Sequence, residues 1–178
     1  MNKNKIVFTF ATAEVNFIGQ IFIKITELLT GKLKLKKLYD EYLSENRPPE
    51  LFWDDAVDKL NFTLITNFQD GSYIPKKGKL IVIANHAFGV ADGVSICSAI
   101  SKVRQDYKMV THKVLRQAEA VKDKILPIDF NENREALLTN INTRKEAEKV
   151  LHNEGVLVLF PSGTIATKQN LKKNTKAD

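Results

Sequence analysis

Cysteine is nearly absent: Cys97 stands alone among 178 residues. An intramolecular disulfide is thereby excluded, and one cysteine with three histidines cannot assemble a cysteine-rich zinc site. No structural metal is expected, and a reducing compartment is. Long apolar runs are lacking as well. The longest, Leu80–Ala84 and Val156–Phe160, fall far short of the roughly 18 residues that a membrane span needs. Behind the opening Met1-Asn2-Lys3-Asn4-Lys5 the apolar stretch is soon interrupted by Glu14 and Asn16, with no small-residue cleavage site, so no signal peptide is expected. With 43% hydrophobic and 27% charged residues, collagen-like, mucin-like and wholly disordered chains are excluded. What remains is one domain's worth of protein, able to bury about two-thirds of its unfolded surface.

The formal charge is +6, which favours an anionic partner: nucleic acid, an acidic carrier protein or a phospholipid surface. The lysines cluster at Lys32, Lys34, Lys36 and Lys37 and again at Lys168, Lys172, Lys173 and Lys176. No strand pair interleaves basic residues with aromatics as stacking platforms require, so nucleic acid is not expected. A merely solvated face accounts for the same lysines.

Three zones are expected within a single domain: a helical region over 1–61, an α/β core over 62–167 and a basic tail over 168–178. In the first, Ile18, Ile21, Phe22, Ile25, Leu28 and Leu29 recur at helical spacing between Val15 and Leu29, ahead of Gly31 as a stop. A second helix is predicted over Leu35–Leu43, closed by Arg47-Pro48-Pro49, and a third over Glu50–Leu60. Strands are predicted at Phe62–Thr66, Leu80–Ala84, Tyr107–Thr111, Ile125–Phe130 and Val156–Phe160. Between them, Asp92–Val103 and Arg134–His152 read as helices, the latter with Asn131 or Asn133 as cap and Gly155 as stop. The alternation implies an α/β fold with a largely parallel sheet.

In such sheets functional groups gather beyond the carboxyl ends of the strands. Three loops there are rich in polar and turn-forming residues: Asn85–Gly93, Asp129–Arg134 and Pro161–Thr164. Five residues including Gly89 separate His86 from Asp92, enough for the loop to return a carboxylate to an imidazole and make a general base. A helix-capping Asp92 beside a structural His86 fits the spacing equally. Pro161–Thr164 offers backbone donors and two hydroxyls to an anionic or carbonyl oxygen, or is an ordinary turn. Ser162 is not in a nucleophile elbow, because Phe160 and Thr164 occupy the glycine positions of Gly-x-Ser-x-Gly. His112 and His152 have no neighbouring ligand at metal-binding spacing.

Asn85-His86 with Asp92-Gly93, followed by Phe160-Pro161-Ser162-Gly163-Thr164, resembles the glycerolipid and lysophospholipid acyltransferase superfamily. The resemblance implies transfer of a fatty acyl group from an acyl-CoA or acyl-carrier-protein thioester to a lysolipid or related amphiphile, with no other cofactor. It implies His86 as base and Asp92 as its partner. Asn85, Gly93, Arg134 and the block Phe160, Pro161, Ser162, Gly163 and Thr164 would serve the substrate. The five-residue spacing and the Asn-His-x-Phe-Gly lead-in are similar to the haemolysin-like and ornithine-lipid branch. Ser162 stands where the family usually has Glu, and Ile165 where an Arg often follows, which disfavours a lysophosphatidate acceptor. After Ile128-Asp129 comes Phe130 and not the usual Arg, leaving Arg134 as the nearest substitute or a surface residue.

Family members continue well past the second motif, so the fold is expected to be incomplete at its C-terminal end. The resemblance further implies a peripheral protein on the cytoplasmic face of the cell membrane. Membrane contact through Val15–Leu29, with Lys32–Lys37 near headgroups, and packing of that helix on the sheet remain two open readings. A non-catalytic module holding a lipid or carrier protein in the same cleft is the rival to an enzyme.

Overall fold

A computed structural model describes residues 32–65 and 73–161. The expected helix Val15–Leu29, residue Thr66, the Ser162–Thr164 segment and the basic tail lie outside the described residues.

Helix α1 (Lys32–Ser44) presents buried Tyr39 and Tyr42 to Phe52, whose ring meets both edge-on. A 3-10 turn at Pro49–Leu51 then leads into α2 (Phe52–Lys59). Asn61 takes a left-handed φ of 56° at the end of α2, and Phe62 N–H bonds back to Val57 O. Residues 62–65, predicted as the start of a strand, join no sheet. Phe62 and Leu64 pack on the core while Ile65 is exposed, so their alternation reflects packing of an extended segment rather than strand pairing.

The remaining predicted strands form one sheet: β1 (Leu80–Ile83), β2 (Tyr107–His112), β3 (Ile125–Ile128) and β4 (Val156–Leu159). Their order is β1-β4-β2-β3 and every pairing is parallel. Helix α3 (Val90–Ser101) carries the chain from β1 to β2, and α4 (Arg134–His152) carries it from β3 to β4. These crossovers run in opposite directions along the sheet, so right-handed connection places the two helices on opposite faces. An α/β fold with an all-parallel sheet is what the alternation predicted.

Packing explains the strand sequences. Val156 and Val158 are wholly buried in the central strand, in a core shared with Cys97, Ile100, Tyr107 and Met109. Gly93 is buried where α3 packs on the sheet, and a Cβ there would meet Met109 Sδ at 3.5 Å, an ordinary van der Waals distance. Burial pushes the Cys97 thiol up to about 12, so it is an inert core group. On edge strand β1 the pattern splits: Leu80 and Val82 pack on the core, whereas Ile81 and Ile83 are exposed.

Asn133 caps α4 by accepting a hydrogen bond from Ala136 N–H at 2.8 Å. The expected stop at Gly155 has a different physical basis. Glu154 carries the left-handed φ of 59°, and Gly155 is required because a Cβ would approach Asp106 O to 2.8 Å.

Candidate active site

The β1–β4 ladder continues one step past the strands through Ala84 N–H to Leu159 O, and this sets Asn85 and His86 beside Phe160 and Pro161. The Phe160 ring centroid lies 4.4 Å from that of His86, at 32° between the planes. Phe160 also packs against the core, so it braces the imidazole from the sheet side.

Between His86 and α3 the chain must turn sharply. Gly89 does so with φ 61° and ψ −116°, a conformation that a side chain strongly disfavours. The first turn of α3 then carries Asp92, where the helix dipole favours a carboxylate. Asp92 Oδ2 accepts the Phe88 N–H at 2.9 Å, tying the loop closed. The same oxygen lies 3.4 Å from His86 Nδ1. Nδ1 is sealed from solvent and makes no hydrogen bond, since the approach to Asp92 is off-angle as well as long. Asp92 is not the helix cap, which falls at Gly89; from the first turn it closes the loop on the Phe88 N–H and faces the imidazole.

With Nδ1 sealed from solvent, Nε2 is the nitrogen left for a substrate, and both side chains are largely covered, 21% exposed for His86 and 16% for Asp92. Such a pair can take a proton from a hydroxyl or amine while the carboxylate stabilises the imidazolium.

The other candidates separate. Asn85 and Pro161 are exposed at the same edge as His86. Gly93 faces Met109, so its place is helix–sheet packing rather than the cleft. Arg134 is exposed at the start of α4, following β3. β3 and β1 are the two ends of the sheet, roughly 14 Å apart at ordinary strand spacing. Ser162, Gly163 and Thr164 lie outside the described residues.

One cluster at this edge was not legible in the sequence. Register pairs His112 with Ile128, which makes Lys113 and Asp129 the next two residues along neighbouring strands. Lys113 Nζ stands 2.5 Å from Asp129 Oδ2, and Asp129 is only 4% exposed. Asn140 grips the backbone of Asp129 on both sides, accepting its N–H at 2.9 Å and donating to its carbonyl at 2.8 Å. Lys113 holds the Asp129 carboxyl below the usual carboxylate range, outweighing burial. His112 accepts the Val114 N–H on Nδ1 and stacks on Phe130, and burial draws its pKa below the usual histidine value. Only the polar loop Asp129–Arg134 after β3 pointed this way; the partnership with Lys113 depends on register.

A scan of known families matches residues 65–177 to the acyltransferase family, more than half of the chain. The chain belongs to the acyltransferase family. This covers the sheet, the His86–Asp92 loop and the Phe160–Thr164 block together, in agreement with the superfamily that the motifs resemble. No curated protein and no solved structure matches it. Acyltransferase chemistry accords with a histidine–carboxylate pair at a strand end. Among the described residues no group of metal-ligating side chains is present, and no helix is long and apolar enough to cross a membrane.

Proposed function

We propose that this acyltransferase moves a fatty acyl group from an acyl-CoA or acyl-carrier-protein thioester to a lysolipid or related amphiphile. The observation that carries this reading is His86 Nδ1, shielded from water and facing Asp92 Oδ2 at 3.4 Å. His86 Nε2 takes the proton of the acceptor hydroxyl or amine as that atom attacks the thioester carbonyl. Backbone donors near Pro161–Thr164 hold the tetrahedral oxyanion, and collapse forms the ester or amide. The thiolate leaves and recovers the proton from the imidazolium. His86 is the base, Asp92 orients and stabilises it, and Phe160 braces the ring. Direct transfer requires no acyl-enzyme, so Ser162 carries no acyl group.

For the acceptor, Ser162 and Ile165 supply a hydroxyl and an apolar surface where a phosphate clamp would need charge. We propose an acceptor without a terminal phosphate monoester, such as a lyso-aminolipid, in preference to lysophosphatidate. The protein works at the cytoplasmic face of the membrane, held peripherally.

The test is the purified chain, or a longer form containing it, incubated with mixed lysolipids and an acyl thioester, with mass analysis of the products. Acylated lysolipid that disappears in His86→Ala supports the reading. Equal product from a folded His86→Ala removes the dyad. A stoichiometric acyl adduct on Ser162 replaces direct transfer by a two-step route, and turnover on lysophosphatidate that collapses in Arg134→Ala overturns the acceptor assignment.

A further inference from the structure

At the amino edge of the sheet, away from His86, two lysines stand side by side. The β2–β3 register pairs Met109 with Ile125, and one step before that pair Lys108 faces Lys124. Neighbouring strands bring such positions within roughly 5 Å, and like charges directly opposite one another oppose folding. Each ammonium crosses to the other segment and donates to a backbone carbonyl, Lys108 to Asp123 O and Lys124 to Gln105 O. Among the described residues neither has a carboxylate at ion-pair distance.

The acids nearby do not cancel this charge. Asp106 commits both carboxylate oxygens to Arg104. Asp123 and Glu50 reach Lys124 only by longer-range attraction, and the three together fail to offset burial and the charge of Lys108, which draw the Lys124 ammonium below the usual lysine range. Lys124 Nζ is also seated 4.7 Å from the centroid of the Tyr107 ring, whose hydroxyl accepts from Trp53 Nε1. Both lysines open on one cavity of about 250 Å³ walled by Gln105, Tyr107, Val150 and Gly155. At the carbonyl end of α4, which borders it, Lys149, Val150 and Leu151 already accept the N–H groups of Asn153, Gly155 and Glu154, so those lone pairs are engaged. After one carbonyl bond apiece, each ammonium keeps donors to spare.

We propose that Lys108 and Lys124 form a second binding site, for a phosphate-sized oxyanion, at the amino edge of the sheet. An oxyanion between the two ammoniums replaces a repulsive pair by charge-assisted hydrogen bonds. A phosphate dianion answers both charges, whereas a monocarboxylate leaves one unanswered. The site is separate from the His86 edge and does not depend on which acceptor is acylated there.

Inorganic phosphate is the probe, titrated by calorimetry and in thermal melts against chloride and acetate at equal ionic strength. The parent Tm is expected to rise by about 3 °C or more at phosphate roughly tenfold above its dissociation constant, with no rise in acetate. Lys108→Gln and Lys124→Gln should each weaken binding about tenfold or more. Lys108→Arg keeps charge and donors and should retain the response, as should Lys145→Gln, which alters an exposed lysine of α4 outside the cavity lining. The melts themselves report whether each variant is folded, so a misfolded variant is not mistaken for a non-binding one. A ribose phosphate monoester titrated in parallel separates the sources: either compound bound through both lysines upholds the site, and the comparison says whether free anion or ester fills it. A parent without a phosphate response overturns the proposal. So does a response matched by acetate, or one that survives in both glutamine variants.

Discussion

The rings of His86 and Phe160 meet at a tilt of 32° across the β1–β4 pairing, 4.4 Å between centroids. Phe160 belongs to a block whose role by resemblance is acceptor binding, yet its contacts are with the imidazole and the core. We therefore expect Phe160→Ala to lower kcat about tenfold or more while KM for the acceptor changes little, as displacement of a catalytic group by a fraction of an ångström does. Phe160→Leu, which restores apolar bulk, should recover most of the rate. Steady-state kinetics with both variants decides it, and a change confined to KM would return Phe160 to the acceptor.

Asp92 has two partners, and two substitutions separate them. In Asp92→Asn the amide oxygen still accepts the Phe88 N–H, so the loop should persist while the imidazolium loses its counter-charge. Turnover should fall roughly 10²-fold or more with little change in Tm. Asp92→Ala leaves the Phe88 N–H without its acceptor and should lower Tm as well. Thermal melts and kinetics on both variants are the check: equal activity in Asp92→Asn and parent would reduce Asp92 to a structural residue.

The parts of this protein readable in the sequence are those set by local pattern. The 3.6-residue period and the Asn133 cap give α4 at its observed bounds, Arg134–His152. Four apolar runs give four strands, and the His86–Asp92 loop stands out because glycine permits one sharp turn. What was illegible depends on which strands become neighbours. Nothing local in Phe62–Ile65 says that it finds no sheet partner. Nothing near Lys113 says that Asp129, sixteen residues on, stands beside it; the parallel register of β2 and β3 decides that. The distance between Arg134 and His86 likewise follows from strand order, in which β4 inserts beside β1 and drives β3 to the far end.

Arg104, 6% exposed, fastens the opposite edge of the sheet. It pairs with both carboxylate oxygens of Asp106, at 2.9 and 2.6 Å, and donates to the carbonyls of Pro75, Gly78 and Glu154. Those carbonyls come from two separated stretches of chain and Asp106 from a third, so one guanidinium joins the entry to β1, the entry to β2 and the turn before β4. Arg104→Met should cost about 3 kcal/mol, because three backbone acceptors and a carboxylate lose their donor. For a chain of this size that is a fall in Tm of about 6–12 °C. Arg104→Lys should recover only part of it, since a point charge cannot span the fork of partners. A melt of Arg104→Met within 2 °C or so of the parent would show that water replaces the donor at no cost.

The pairing of Lys113 with buried Asp129 gives stability a defined pH dependence. Lys113 depresses the folded-state pKa of Asp129 below its unfolded value of about 3.9. For a carboxylate whose folded pKa is lowered, the stabilisation is fully present above the unfolded value and disappears as pH falls through the folded one. Asp129→Asn keeps the backbone bonds to Asn140 and removes only the charge, so it mimics the protonated parent. Urea unfolding of the two proteins should therefore differ by a constant amount from pH 8 down to about 5, on the order of 1.5–3 kcal/mol for a charge-assisted hydrogen bond. Below about pH 4 the two curves should converge as the parent carboxylate takes up its proton. Lys113 is partly exposed, so salt should reduce the neutral-pH difference without removing it. A gap that stays constant down to pH 2.5 would mean that Asp129 acts through its shape and backbone alone, and the ionic account of this cluster would be wrong.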